Sequence, residues 1–156
     1  MLFRSIRMNL YRITATRFAA DLSGMGGLYS AGRWHKQGTR ILYASEHVSL
    51  AKLEVLANST ETPDNVSLIT LEIPANATCL TVNVADLPSG WNQLPYHPAL
   101  GALIDNWIAE QQYWLMRVPS IHSPAEFNYL INPLHPEHNM LKISNVEQHI
   151  FDPRLK

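Results

Sequence analysis

The chain has 156 residues, 46% of them hydrophobic and 16% charged, which predicts one folded domain because disordered chains are more polar and more highly charged. Its formal net charge of −1 excludes the broad basic surplus of most nucleic-acid-binding proteins, so we expect no direct DNA binding. The chain has one cysteine, Cys79, and no apolar run near the ~20 residues needed to cross a bilayer, so we expect a cytoplasmic protein that does not enter a membrane.

The first predicted elements are a strand, a glycine-rich loop and a second strand. Alternating apolar and polar residues from Asn9 to Thr14 predict a half-buried strand that carries Arg12. Most of the glycines lie between Ser23 and Gly38, which predicts a shaped loop. The segment from Arg40 to Ala44 returns to strand character.

A helix is predicted directly after the second strand. Ser45 offers a hydroxyl cap and Glu46 an acid near the positive end of the helix. We therefore expect a helix from about Glu46 to about Asn58.

The second half of the chain is predicted to form strands around one further helix. Val66–Ile73 alternates and Thr78–Val84 is rich in β-branched residues, so we expect two neighbouring strands. Pro98 suits the first turn of a helix, and apolar residues recur at helical spacing to about Tyr113. Three more short strands are expected at Leu115–Val118, Phe127–Ile131 and Leu141–Phe151. The predicted class is α+β, in a single domain.

Glu54 is the residue of greatest chemical interest in the predicted first helix. It shares a helical face with Leu50 and Ala51, which should pack inward, and a carboxylate on such a face needs a polar partner. The alternative is a rotated helix in which Glu54 faces solvent or pairs with Lys52, the usual fate of a helical glutamate. Periodicity alone favours this alternative.

The glycine loop and two arginines suggest an anionic ligand. Gly24, Gly26 and Gly27 do not have the spacing of a nucleotide-binding glycine motif, so by themselves they are a weak phosphate signal. Arg12 and Arg33 flank this loop in the predicted layout, and guanidinium groups suit a diphosphate. Each arginine taken alone is better explained as a surface residue.

The histidines and Ser120 are weaker candidates for chemistry. His135-Pro136-Glu137-His138, with His122 upstream, lacks the spacing of a zinc helix, so no metal site is predicted. Ser120 lacks the glycine-flanked turn that exposes a hydrolase nucleophile. Cys79 is expected to be inert in a strand.

The order and spacing of many short motifs resemble the RES domain, a family named for its arginine, glutamate and serine. These motifs are Leu10-Tyr11-Arg12, Gly24-Met25-Gly26-Gly27, Gly32-Arg33-Trp34, Leu42-Tyr43-Ala44-Ser45, Leu53-Glu54-Val55, Val118-Pro119-Ser120, Asn128, Ile131-Asn132-Pro133, His135-Pro136 and Asp152-Pro153-Arg154. The resemblance covers nearly the whole chain, with a domain at residues 8–156 and a short extension at residues 1–7. His35 departs from the asparagine that often follows the Gly-Arg-Trp triplet.

The resemblance implies a fold similar to the ADP-ribosyltransferase toxins, with a split, mostly antiparallel sheet and a cleft for NAD. It implies a toxin that breaks the nicotinamide-ribose bond of NAD by hydrolysis or phosphorolysis, with NAD as substrate and no cofactor. An ADP-ribosyltransferase acting on a protein, or a non-catalytic module that binds the antitoxin, are the alternatives. The implied partner is an Xre-type antitoxin, and a homodimer is possible on family grounds, with Trp91 or Trp114 as a patch if exposed.

The resemblance also assigns roles to individual residues. Glu54 would stabilise the ribosyl cation, and Arg12 and Arg33 would bind the diphosphate. Tyr43 would stack on the nicotinamide or ribose, and Ser120 would hydrogen-bond the carboxamide or the sugar. The remaining residues implied to bind NAD are Gly26, Gly27 and Asn128.

Overall fold

A computed structural model of the protein describes residues 6–156. Of the expected N-terminal extension, residues 1–5 lie outside this part of the chain. The strands are β1 (Arg7–Ala15), β2 (Leu42–Ser45), β3 (Val66–Pro74), β4 (Cys79–Thr81), β5 (Leu115–Pro119), β6 (Phe127–Ile131) and β7 (Lys142–His149). The α-helices are α1 (Gly26–Tyr29), α2 (Val48–Ala57) and α3 (Pro98–Glu110). Short 3₁₀ turns lie at Thr16–Phe18, Val84–Asp86, Pro136–Met140 and Pro153–Leu155.

The seven strands form one mostly antiparallel sheet in the order β4-β5-β6-β2-β1-β3-β7. The sheet is weakest in its middle, because β1 and β2 pair at a single position, Tyr11 opposite Ser45. By contrast, β1 pairs with β3 along its whole length, from Arg7 opposite Pro74 to Ala15 opposite Val66. The α+β class and the split sheet expected from the sequence are confirmed.

Apolar residues fill both faces of the sheet. One core contains Leu10, Ile69 and Leu115, which are fully buried. The second core contains Met116 and Leu130 from the opposite face of β5 and β6. Because successive residues of a strand point to opposite faces, a strand buried on both faces is largely apolar, and in β5 only the partly buried Arg117 departs from this pattern.

Helix α3 covers the second core. Pro98 occupies its first turn, and the His97 side chain accepts a hydrogen bond from the backbone N–H of Ala99. Its buried residues, Leu100, Gly101, Ile104 and Trp107, recur at helical spacing, as the sequence predicts. The helix ends at Glu110, three residues before the predicted end.

Helix α2 starts later than predicted. It begins at Val48, and the preceding residue, His47, provides no side-chain cap. The predicted cap, Ser45, is the last residue of β2, where its hydroxyl donates to the Asn128 side chain, and Glu46 accepts from the backbone N–H of Phe127. The prediction was wrong because both side chains have partners on β6 that the local sequence does not reveal.

One further prediction was also wrong, and the condition set for a dimer patch is not met. Strands β3 and β4 are not neighbours: β3 lies between β1 and β7, whereas β4 pairs in parallel with β5 at the far edge of the sheet. Trp91 and Trp114 are buried and offer no dimer patch. Within residues 6–156, none of the helices has the length and hydropathy needed to cross a bilayer.

His138 is a structural residue that links two loops. Its Nε2 donates to the carbonyl of Leu22 at 2.8 Å, and its Nδ1 accepts from Nε1 of the fully buried Trp114 at 3.2 Å. Only a neutral imidazole can donate at one nitrogen and accept at the other. Burial lowers the pKa of His138 below its usual value, and the hydrogen bond to Leu22 opposes this shift.

We expect the protein to lose stability as the pH falls below about 6.5, the usual pKa of histidine. The unfolded chain then binds a proton that folded His138 resists, so protonation favours unfolding. His35, whose pKa is also lowered by burial, contributes in the same window. The free energy of unfolding, measured by urea denaturation from pH 8 to pH 5, should depend less on pH in His138→Gln than in the wild type. An unchanged slope would contradict this assignment, with His97→Asn as the control at a half-buried histidine that caps α3.

Candidate active site

Glu54 lies in a hydrogen-bond network built from three elements of the fold. Its Oε1 accepts from the Ser120 hydroxyl, directly after β5, at 2.7 Å and from Nδ2 of Asn128, on β6, at 2.6 Å. The Glu54 side chain is 26% exposed, so solvent still reaches it. The alternative of a surface glutamate paired with Lys52 is wrong, because the carboxylate faces β5 and β6.

Ser45 extends this network and was not identified from the sequence as a site residue. Its hydroxyl donates to Oδ1 of Asn128 at 2.6 Å, from the position directly opposite in the β2–β6 ladder. With Oδ1 accepting this bond, the amide of Asn128 presents Nδ2 to Glu54. Its place two residues after Tyr43, on the same face of a strand, was the one sequence signal for Ser45.

A cavity of about 430 Å³ lies where β1 and β2 separate beyond the Tyr11–Ser45 pair. This volume is in the range of small-molecule sites. Strand residues line its two sides and the glycine loop closes it. The lining residues are Arg12, Ile13, Thr14, Phe18, Asp21, Gly24, Met25, Gly26, Gly27, Tyr29, Ser30, His35, Ile41, Leu42 and Tyr43.

Arg12 brings positive charge to this cavity. Its Nη1 donates to the backbone carbonyl of Asp21 at 3.1 Å. Burial lowers the pKa of Arg12, and the Asp21 carboxylate opposes this shift. Hydrogen bonds from Ser23 hold the pKa of Asp21 below its usual value. An arginine remains charged at neutral pH, so the cavity has a cation available for an anionic ligand.

Tyr43 also lines the cavity, where it pairs with His35. The phenolic oxygen is 2.6 Å from Nδ1 of His35, whose Nε2 contacts the carbonyl of Ser30 at 2.8 Å. Burial raises the pKa of Tyr43 well above its usual value, so this side chain is a neutral phenol. His35, which departs from the family's asparagine, thus orients a residue expected to contact the substrate.

The cavity and the Glu54 network are adjacent along β2. Tyr43 lines the cavity, and Ser45 belongs to the network. Because they are two positions apart, the two residues lie on the same face of the strand, about 7 Å from each other. A ligand that occupies the cavity and extends along this face would approach the Glu54 carboxylate.

Arg33 points elsewhere. Its Nη1 donates to the backbone carbonyls of Trp91 and Gln93, at 2.8 and 2.9 Å, and its guanidinium lies 5.1 Å from the centre of the Tyr96 ring. Of the two arginines, Arg12 lines the cavity and Arg33 does not. A role for Arg33 in substrate binding stays a prediction.

The histidine segment and the cysteine are placed away from this chemistry. His135 accepts from the backbone N–H of Glu137, and His138 bonds to Leu22 and Trp114. Residues 6–156 contain no group of three or more histidine, cysteine or acidic residues placed to hold a metal ion. Burial raises the pKa of the Cys79 thiol, which disfavours a reactive thiolate.

With this geometry in place, comparison with known proteins gives the class. Residues 9–152 match the model of the RES domain, so the chain belongs to this family, as the sequence motifs indicated. In fold it is similar to a chain of the M. tuberculosis MbcT-MbcA toxin-antitoxin complex, with a TM-score of 0.68 at 13% identity over 92% of this chain and 84% of that one.

Two curated relatives are similar over most of their length. Toxin Res of Pseudomonas putida is 37% identical over 151 residues, which are 95% of this chain and 99% of the relative. The Prs ADP-ribosylating toxin of Sphingobium sp. is 36% identical over 141 residues, which are 88% of each protein.

Gly27 and Gly26 provide a matched test of how the glycine loop is packed. A Cβ added at Gly27 would lie 2.0 Å from the carbonyl oxygen of Thr39, whereas one at Gly26 would meet nothing within 4 Å. Gly27→Ala should therefore destabilise the protein by about 1–3 kcal/mol, the usual cost of overpacking. Thermal unfolding should show a lower Tm for Gly27→Ala and little change for Gly26→Ala. Equal Tm values for the two variants would show that the loop is not packed as described.

Proposed function

We propose that this protein is the toxin of a toxin-antitoxin pair and that it breaks the nicotinamide-ribose bond of NAD. The observation that carries the proposal is the Glu54 carboxylate, fixed by Ser120 and Asn128. Through Asn128 this group is linked to Ser45 on β2, two residues from Tyr43 of the cavity that contains Arg12. The names of the relatives from Pseudomonas putida and Sphingobium sp. support a toxin, and the name of the Sphingobium relative supports ADP-ribosyl chemistry.

The chemistry of NAD explains why a fixed carboxylate would suffice. Nicotinamide leaves a cationic ring as a neutral molecule, so positive charge builds on the ribose in the transition state. A carboxylate that is already fixed in position beside the ribose stabilises this charge without having to move during the reaction. In this mechanism NAD is the substrate, and the departing group needs neither a proton nor a metal ion.

The cavity residues would bind and orient the dinucleotide. Arg12 would contact the diphosphate, while Gly26 and Gly27 would let the backbone approach it closely. Tyr43 would hold the nicotinamide or the ribose in place for attack. Ser120 and Asn128 would act through Glu54, by fixing the direction of its carboxylate.

Transfer of the ADP-ribosyl group to a protein is the second candidate. The same residues would break the same bond, and only the acceptor would differ. The name of the Sphingobium relative, an ADP-ribosylating toxin, favours this alternative. The further proposal of a partner antitoxin, of the Xre type, draws on the family and on the toxin-antitoxin complex that the fold resembles.

Glu54→Gln tests the role of the carboxylate. The variant keeps an oxygen that can accept hydrogen bonds but loses the negative charge, so we expect NAD consumption to fall by about 10²–10³-fold, as when one stabilising group of an active site is removed. The consumption of NAD by purified protein should be measured together with its thermal unfolding. Glu110→Gln, at an exposed residue of α3, is the matched control and should keep full activity. A folded Glu54→Gln protein with wild-type activity would remove Glu54 from the mechanism.

A mass balance on labelled NAD identifies the acceptor. The reaction is run in buffer with and without phosphate, and then with bacterial lysate. Free ADP-ribose indicates water as acceptor, its 1-phosphate indicates phosphate, and label on a macromolecule indicates transfer. Absence of NAD consumption under all three conditions, with no effect on growth when the protein is expressed without its antitoxin, would leave only a binding module.

A further inference from the structure

His122 lies beside the Glu54 carboxylate in the loop that joins β5 to β6. Its Nε2 is 3.8 Å from Oε2 of Glu54, and its side chain is 29% exposed. The backbone N–H of His122 donates to the hydroxyl of Ser120 at 3.1 Å, so the same serine that binds Glu54 also holds this loop. The imidazole is therefore placed by the network and can still exchange protons with solvent.

The two oxygens of Glu54 have different surroundings. Oε1 accepts two hydrogen bonds, from Ser120 and Asn128, whereas Oε2 accepts none from the described residues. The distance of 3.8 Å between Oε2 of Glu54 and Nε2 of His122 is longer than a hydrogen bond. The imidazole therefore lies next to the carboxylate without being hydrogen-bonded to it. A small polar group could contact both the free oxygen and the ring nitrogen from one side, because each lies within hydrogen-bond reach of a common position.

We propose that His122 binds the nucleophile that attacks the ribose and takes its proton, a role that rests on the function proposed above. The bond between C1′ and the nicotinamide nitrogen breaks, and its electron pair neutralises the ring. A lone pair of an O–H acceptor, water in the simplest case, forms the new bond to C1′. The proton of that O–H group passes to the imidazole of His122 and then to solvent. The products are ADP-ribose, nicotinamide and one proton.

An imidazole suits this role because it can take a proton from a bound O–H group and pass it on to solvent. The other charged or titratable groups around this loop are Glu54 on α2, Glu126 at the end of the loop, Glu46 and His47 before α2, and Arg117 on β5. Glu126 accepts from the Ser123 hydroxyl at 2.6 Å and lies 3.7 Å from Nε2 of His47. The Ser123 backbone N–H donates in turn to Ser120. His47 is thus a second imidazole linked to the same loop, which makes it the matched control.

The test compares wild type, His122→Gln and His47→Gln in phosphate-free buffer from pH 5 to pH 9, with nicotinamide release as the readout. In the wild type and in His47→Gln, kcat should rise with pH across roughly the range in which histidine loses its proton. In His122→Gln, kcat should fall about 10²-fold, the usual contribution of a general base, and this rise should disappear. KM for NAD should stay the same, because glutamine still fills the position but cannot take a proton. Free imidazole in the buffer should partly restore His122→Ala.

Each outcome either supports or overturns the assignment. An unchanged kcat and pH profile in His122→Gln, or loss of the pH-dependent rise in His47→Gln instead, would overturn the role of His122 and leave the proposed function intact. A higher KM with an unchanged kcat would make His122 a binding residue for NAD. A wild-type protein that releases no nicotinamide would overturn the proposed function and this role together.

Discussion

One backbone pair, Tyr11 opposite Ser45, joins the two halves of the sheet. On one side β1 is paired along its full length with β3, and on the other side β2 continues into β6 and β5. Beyond the junction the strands separate, and the space that opens is the cavity that contains Arg12 and Tyr43. The last residue of β2 at this junction, Ser45, also fixes the amide of Asn128. The same short contact therefore joins the two halves of the sheet, marks where the cavity opens and carries the serine that orients the carboxylate network.

The Glu54 network shows how a charged group can be kept on a helical face that is otherwise buried. Leu50 and Ala51, on the same face of α2, are buried, and an unpartnered carboxylate beside them would be costly. Hydrogen bonds from Ser120 and Asn128 offset that cost at one oxygen and leave the other accessible. The second oxygen lies 3.8 Å from Nε2 of His122 on a side chain that solvent still reaches. The asymmetry is what makes this group suitable for chemistry.

Local sequence patterns predicted most of the elements but not their distant partners. The strands and α3 follow from alternation, helical spacing and Pro98, because these signals depend on near neighbours. Pairing of β4 with β5 could not be predicted this way, since a parallel pair needs a crossover, here through α3, and is not adjacent in the chain. Ser45 was misread for a similar reason: its hydroxyl suited a helix cap, but the better partner is 83 residues away on β6. Ser120 and Asn128 became candidates through the family resemblance, because nothing near them in the sequence points to Glu54.

The contact between Tyr43 and His35 determines whether the Tyr43 hydroxyl can donate or accept a hydrogen bond in the cavity. The Ser30 carbonyl can only accept, so Nε2 of His35 carries the ring proton, and burial lowers the pKa of this histidine and keeps it neutral. Nδ1 must then accept, and the single proton of the Tyr43 hydroxyl is directed at it. The phenolic oxygen also receives a backbone hydrogen bond from Trp34, so it offers the cavity one remaining lone pair and no donor. A molecule bound there satisfies Tyr43 by presenting an N–H or O–H group, such as a carboxamide N–H or a sugar hydroxyl, and a ligand with only acceptors at this position would be rejected.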